Sequence, residues 1–419
     1  MTAGVKTQSA LPAFPYLSPF PALRFFFPSE RMFWSKRNTP KPAKAKKSVF
    51  RDWADSILFA VIAATIIRFL TFSAYAIPTP SMEGNLLVGD YLFVSKLHYG
   101  ALTPKTPLQI PLTHQTLWGT NLPSYTDLIQ LPQVRLPGFS SVKNGDAVVF
   151  TYPPRKPNEP DHPSDLRTNY IKRCIGLPGD VVSIQRAEVF VNGKPFPKSP
   201  GQQTTYFIKT TEVLTDRFFR TYGIANDFNS AEGPFINWQP VETVNETTHQ
   251  SELLGYQVHT TEAVANQLKE LDWVKGVEPV ILPPDQPDPG LYGGGAFAWN
   301  LDNFGPLTVP KKGATIPITP QTLALYGPVI ERHEGLTNVE VTPTRLRIAG
   351  QPVTSYTFRQ NYYFMMGDNR HNSEDSRVWG FVPEDHVVGK AVFVWMSLDP
   401  TAPDFWHKIR WRHLFSVVR

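Results

Sequence analysis

The 419 residues contain a single cysteine, Cys174. No intrachain disulfide can form, and neither a zinc ribbon nor a CxxC redox site can be built. Among the ten histidines there is no HExxH metal signature, and none can be placed with an aspartate and a serine as a hydrolytic triad. Gly293-Gly294-Gly295 lacks the Lys-Ser/Thr that follows in a phosphate loop, which leaves it a flexible turn. Residues 1–34 carry no apolar run long enough to span a bilayer and stay unassigned.

Proline, by contrast, is abundant. The 41 prolines cannot sit inside helices or central strands, so they point to loops, edge strands and a β-rich body with long connections. Hydrophobic residues make up 41% and there are 27 glycines, an apolar share near the ordinary globular value of about 45–50%. The length allows a catalytic unit and at least one further domain.

Net charge is +5, and seven cations crowd into Lys36, Arg37, Lys41, Lys44, Lys46, Lys47 and Arg51 with no acid before Asp52. Such a cluster can contact nucleic acid through phosphates. Here an apolar segment follows at once, and positive charge beside such a segment marks its cytoplasmic flank, so no nucleic-acid partner is expected. Residues 57–67 are apolar except Thr65, and apolar character continues past Arg68 to Ile77. A buried soluble helix, a cleaved signal peptide ending at Ala74-Tyr75-Ala76 and an uncleaved anchor all compete for this segment. The basic region before it is too long for a signal peptide, and a single membrane anchor over residues 53–72 fits best, with Arg68 reaching the interface.

The pattern then predicts strands over 87–97, 145–152 and 169–175, a hairpin over 181–191 through Arg186-Ala187, a turn at Asn192-Gly193 and a last strand over 362–366. Residues 99–141 read as irregular. Thr261 caps a helix over 261–271, flanked by strands at 255–259 and 277–282, which makes 195–359 an α+β insert. The expected organisation is a basic segment 1–52, the anchor 53–72, a catalytic β body over 73–194 and 360–400 interrupted by the insert, and a basic aromatic tail 401–419.

A serine hydroxyl attacks a carbonyl only when something removes its proton, and a neutral lysine can do so. Ser81, in Ile77-Pro78-Thr79-Pro80-Ser81-Met82-Glu83, follows the anchor on a backbone stiffened by two prolines. Serine after proline is by itself commonly a turn or cap. Lys172 stands in Asn169-Tyr170-Ile171-Lys172-Arg173-Cys174-Ile175 and is followed by Gly176-Leu177-Pro178-Gly179-Asp180. On a strand Tyr170, Lys172 and Cys174 share one face, and an aromatic beside the lysine reduces its hydration and lowers its pKa from about 10.4. A solvated strand lysine is the alternative. The run Gly367-Asp368-Asn369-Arg370-His371-Asn372-Ser373-Glu374-Asp375-Ser376-Arg377 suits a loop that bonds its own backbone. Its interleaved arginines oppose metal binding by Asp368, Glu374 and Asp375.

Together these stretches, with Gly89-Asp90-Tyr91 to Gly100, resemble the ordered boxes of bacterial signal peptidase I, over roughly 53–97, 142–191 and 362–395. The resemblance implies a mostly β fold, with an antiparallel β catalytic body of signal peptidase type. It implies Ser81 as nucleophile, Lys172 as general base, and Thr79 with the Ser81 N–H as oxyanion hole. It gives Ser373 the task of orienting the amine, and Asp375 that of bracing the loop through an arginine. Tyr170 supports the lysine. Ile77 and Ile171 match positions lining pockets for small residues at −1 and −3 of secretory preproteins. His371 departs from the acid many members carry there. No metal or organic cofactor is expected. The partners implied are preproteins and the lipid bilayer of the cytoplasmic membrane, with the N-terminus cytoplasmic and the body periplasmic or extracellular. An inactive envelope scaffold of the same fold and a soluble self-cleaving serine-lysine repressor are the rival readings; the sequence displays no helix-turn-helix for the latter.

Overall fold

The computed structural model describes residues 48–153, 162–227, 233–244, 250–402 and 404–418. The cations Lys36 to Lys47 and the unassigned stretch 1–34 lie outside the described residues. The chain divides into two compact units, Met1–Trp53 and Ala54–Arg419.

Helix α1 spans Val49–Leu70, and none of its residues is buried. Its Ala and Leu favour helix, and from Ile57 to Ile67 only Thr65 is polar, so this part has no polar face for water. At 1.5 Å per residue it is about 33 Å long, enough to cross a membrane. The expected anchor falls inside it except for Thr71 and Phe72. The apolar run beyond is strand, because residues 72–76 pair with residues 91–95.

Among the described residues, thirteen strands of four or more residues build the body: β1 (Phe72–Ala76), β2 (Asp90–Ser95), β3 (Ala147–Thr151), β4 (Asn169–Gly176), β5 (Val181–Gln185), β6 (Glu188–Val191), β7 (Gln203–Lys209), β8 (Trp238–Val244), β9 (Ser251–Thr261), β10 (Gly276–Pro279), β11 (Phe304–Thr308), β12 (Tyr362–Met366) and β13 (Val387–Ser397). Helices α2 (Glu262–Lys269) and α3 (Pro320–His333) fall among them. The fold is mostly β. Its main sheet is antiparallel, in the order β1-β2-β13-β3-β4-β12.

β3 explains why this sheet has two covered faces. All five of its residues are buried, and alternation sends Ala147 and Val149 to a cluster with Ile77, Met82 and Leu92, while Val148 and Phe150 meet Cys174, Tyr363 and Met365. The hairpin β5–β6 turns through Arg186 and Ala187, both at positive φ, and β11 on one side and Lys194–Pro195 on the other complete its sheet. Within 195–359, β7 to β10 form a separate four-stranded sheet whose core includes Ile208, Phe219, Tyr256 and Leu268 of α2. The later part, including α3, packs Leu323, Tyr326 and Ile330 into the cluster of Ile175, Tyr362 and Phe364. Residues 99–141 contain only isolated bridges, and many of their large apolar side chains, Trp118 and Leu128 among them, are exposed.

Candidate active site

Ser81 occupies a single 3-10 turn, Pro80–Met82, with Pro80 setting its first position. Thr79 precedes it in extended conformation, and the turn closes when Glu83 N donates to Pro80 O. Met82 anchors the turn in the core at 0% exposure, which fixes Ser81 beside β4.

β4 pairs with β3 from Asn169 to Arg173, Ile171 opposite Val149 and Tyr170 opposite Phe150. On its other edge β12 pairs only from Arg173 to Gly176, and then turns away into the loop at Gly367. Lys172 stands where that partner ends. Its Nζ lies 2.6 Å from Ser81 Oγ, and both residues are buried, at 3% and 8% exposure. The Tyr170 ring centre is 5.4 Å from the same nitrogen. Thr79 Oγ1 is 3.4 Å from Ser81 Oγ.

A cavity of about 290 Å³ opens over this pair. Ile77, Thr79, Ser81, Tyr170, Ile171, Lys172 and Ser373 all line it, so seven of the eight residues singled out by sequence converge there. Asp375 does not. It is fully buried and accepts from Arg377 Nε at 2.9 Å and Nη2 at 2.7 Å, and from Gly367 N at 3.0 Å. Burial pushes this carboxyl up, but the Arg377 guanidinium and the backbone donors outweigh it and hold it below the usual carboxylate range. Ser373 Oγ is buried and makes no hydrogen bond among the described residues. The Cys174 thiol is fully buried, and burial raises its pKa, so it is chemically quiet.

Several supporting residues escaped the sequence reading. Arg173, on the strand position after Lys172, forms a two-pronged pair with Asp368 at 2.7 and 2.6 Å. Asn369 N donates to Ser81 O at 3.1 Å, and Gly367 packs so closely on Ser373 Oγ and Ser81 O that a Cβ there would collide with both. His371 Nε2 meets Asp302 Oδ1 at 2.7 Å, and Thr205 N donates to its Nδ1 at 3.2 Å, which places the ring proton on Nε2. The signal for these contacts was the density of Asp, Asn and Arg in one loop; their partners are far apart in sequence.

A sequence model of the family described as "Signal peptidase, peptidase S26" matches residues 50–247 and 327–396, more than half of the chain and all eight residues singled out by sequence. The chain belongs to this family. It is similar to a signal peptidase I of Buchnera aphidicola subsp. Acyrthosiphon pisum, 25% identical over 379 residues, covering 88% of this chain and 83% of that protein. It is also similar to signal peptidase I of Haemophilus influenzae (25% over 369 residues; 87% and 75%) and of Helicobacter pylori (24% over 386 residues; 90% and 95%). As a signal peptidase the protein is a serine hydrolase that removes signal peptides, and its substrates are secretory preproteins. Residues 248–326, which carry β9, α2, β10 and β11, fall outside the family match.

Proposed function

We propose that Ser81 and Lys172 form the catalytic dyad of this signal peptidase, a reading carried by the 2.6 Å contact between two buried groups. Burial disfavours an ammonium, and the neutral amine can accept the Ser81 proton across the same distance through which the charged amine donates. Ser81 Oγ then attacks the scissile carbonyl carbon. The Thr79 hydroxyl and the Ser81 N–H stabilise the oxyanion. The Lys172 ammonium returns its proton to the leaving amine as the C–N bond breaks, freeing the mature protein. Lys172 next deprotonates a water that cleaves the acyl ester and releases the signal peptide.

Residues 169–172 of β4 have one edge without a strand partner among the described residues, and that edge suits an extended substrate segment. Ile77 and Ile171 narrow the cavity toward small side chains at −1 and −3. Ser373 lines the cavity, and its Oγ, without a partner among the described residues, orients the amine only after turning toward Lys172; Asp375 holds the loop. For topology, the basic flank keeps residues 1–51 in the cytoplasm, α1 crosses the cytoplasmic membrane once, and the body faces outward.

Turnover of a model preprotein by detergent-solubilised full chain tests the dyad. Ser81→Ala and Lys172→Met each abolish cleavage in a folded protein, and the double variant loses little more than either. Wild-type turnover by either folded variant overturns it. Added protease reaching the body but not an N-terminal tag in intact spheroplasts supports the orientation; the opposite pattern reverses it.

A further inference from the structure

The loop 367–377 and β4 bury three arginines, Arg173 at 4%, Arg370 at 6% and Arg377 at 1% exposure. Arg173 is paired with Asp368 and Arg377 with Asp375. The nearby buried carboxylate, Asp302, is taken by His371 and by Leu282 N. Arg370 is left over. Its Nε is buried with no hydrogen-bond partner, and among the described residues no carboxylate or carbonyl receives a bond from its guanidinium. An uncompensated buried charge is strongly destabilising.

The Arg370 side chain lines a cleft of about 320 Å³ against α2. Lys198, Lys269 and Arg186 stand at the rim, opposed by Glu188 and by Glu262, which lies 3.6 Å from Lys198. Four cations thus face two carboxylates, and both carboxylates sit at the exposed side rather than beside Arg370. Thr204 and Asn266 add neutral hydrogen-bonding groups. Burial, with Arg377 nearby, lowers the Arg370 pKa to about 10, yet the group stays cationic at neutral pH.

We propose that this cleft binds a phosphate-type oxyanion, held at its base by the Arg370 guanidinium and at its rim by Lys198 and Lys269. A tetrahedral oxyanion supplies the acceptors that Arg370 lacks, in the geometry guanidinium groups favour. Helix α2, which brings Asn266 and Lys269, lies in the stretch that the family sequence model does not match. The site therefore draws on residues outside the stretch that the family model matches.

Occupancy has a mechanical reach. Arg370 N donates to Gln203 O at 2.9 Å, Gln203 N donates to Asp368 O at 2.9 Å, and Asn369 between them donates to Ser81 O. An anion clamped on Arg370 steadies the segment that touches the Ser81 backbone. The site stands whether or not the dyad assignment does.

The test is thermal unfolding and calorimetric titration of detergent-solubilised full chain at constant ionic strength. One arm uses inorganic phosphate against chloride, and a second uses micelles containing phosphatidylglycerol against phosphatidylcholine. The expected result is a saturable rise in Tm with phosphate that Arg370→Met abolishes and Lys198→Ala/Lys269→Ala shifts to higher concentration. A rise with phosphatidylglycerol alone, with the same sensitivity to these variants, supports the site and assigns its phosphate to a lipid headgroup. If Arg370→Met does not fold, the rim variant decides. No saturable rise with either anion source, or a rise unchanged in the variants, overturns the proposal and leaves Arg370 solvated by water.

Discussion

The backbone N–H of Asn369 is bonded to the carbonyl oxygen of Ser81 at 3.1 Å, so the loop after β12 holds the nucleophile turn by its main chain. Neighbouring Asp368 and Arg370 turn their own backbone groups the other way, onto Gln203 of β7. The alternation of an extended strand makes one short segment a rivet between the Ser81 turn and the added sheet.

That closeness predicts the behaviour of Gly367, where a Cβ has no space between Ser373 Oγ and Ser81 O. Gly367→Ala should lower kcat at least about tenfold and destabilise the fold by about 1–3 kcal/mol, as overpacking does. Preprotein turnover and thermal unfolding on the same sample measure both. Unchanged kcat would show that the loop does not position Ser81.

Thr79 tests the oxyanion assignment. Its hydroxyl is 3.4 Å from Ser81 Oγ, and removal of one such donor typically lowers kcat by about 10²–10³. Thr79→Val should lose activity in kcat with KM little changed, and Thr79→Ser should keep most of it. A Val variant with full kcat removes Thr79 from the chemistry.

Arg377 tests the buried brace. Asp375 and Arg377 are 0% and 1% exposed, so Arg377→Met leaves a buried carboxylate unpaired and should cost about 3–5 kcal/mol in stability. Asp375→Asn/Arg377→Met removes both charges and should recover part of that loss. Equal destabilisation in single and double variants would assign the effect to packing instead.

Glu83 gives a pH dependence of opposite sign to that of a paired carboxylate. Burial raises its pKa to about 7, against the weaker opposing effect of the hydrogen bond from Asn237 Nδ2 at 3.1 Å. The unfolded value is about 4.3. Below that, both states are protonated and the group is neutral to stability. As pH rises toward 7 the unfolded state ionises first, so stability falls across this window and stays low above it. Glu83→Gln should therefore gain Tm relative to wild type by about 2–4 °C at pH 8, with little gain at pH 4. A gain that does not change with pH contradicts this account.

Local signals in the sequence translated directly into structure. The strand read over 362–366 is β12, the Arg186-Ala187 turn has both residues at positive φ, and Thr261 accepts from Val264 N at the start of α2. What failed was local as well. Helix α3 went unread because Gly327 and Pro328 interrupt its middle; the structure sustains it through a Thr319–Thr322 capping box and the burial of Leu323, Val329 and Ile330. The contact of Lys172 with Ser81 came from motif resemblance, not from periodicity. The Arg173–Asp368 and His371–Asp302 pairs join residues far apart in the chain, and no pattern within a window of sequence encodes which charges a fold will bring together.

The tripeptide Ala74-Tyr75-Ala76 has the small-x-small form that a signal peptidase cuts, yet it belongs to the enzyme's own chain, just ahead of the nucleophile. In the folded protein it is strand β1, laddered to Tyr91, Leu92 and Phe93 of β2, and backbone committed to a ladder cannot be drawn out as an extended substrate. The other edge of β2 is closed by β13, near the end of the chain, with Tyr91 opposite Met396. The sheet that completes the catalytic body is thus the same one that hides this tripeptide. Presenting Ala74-Tyr75-Ala76 as an extended segment therefore requires β1 to leave β2, so exposure of the tripeptide and loss of this sheet edge are one event.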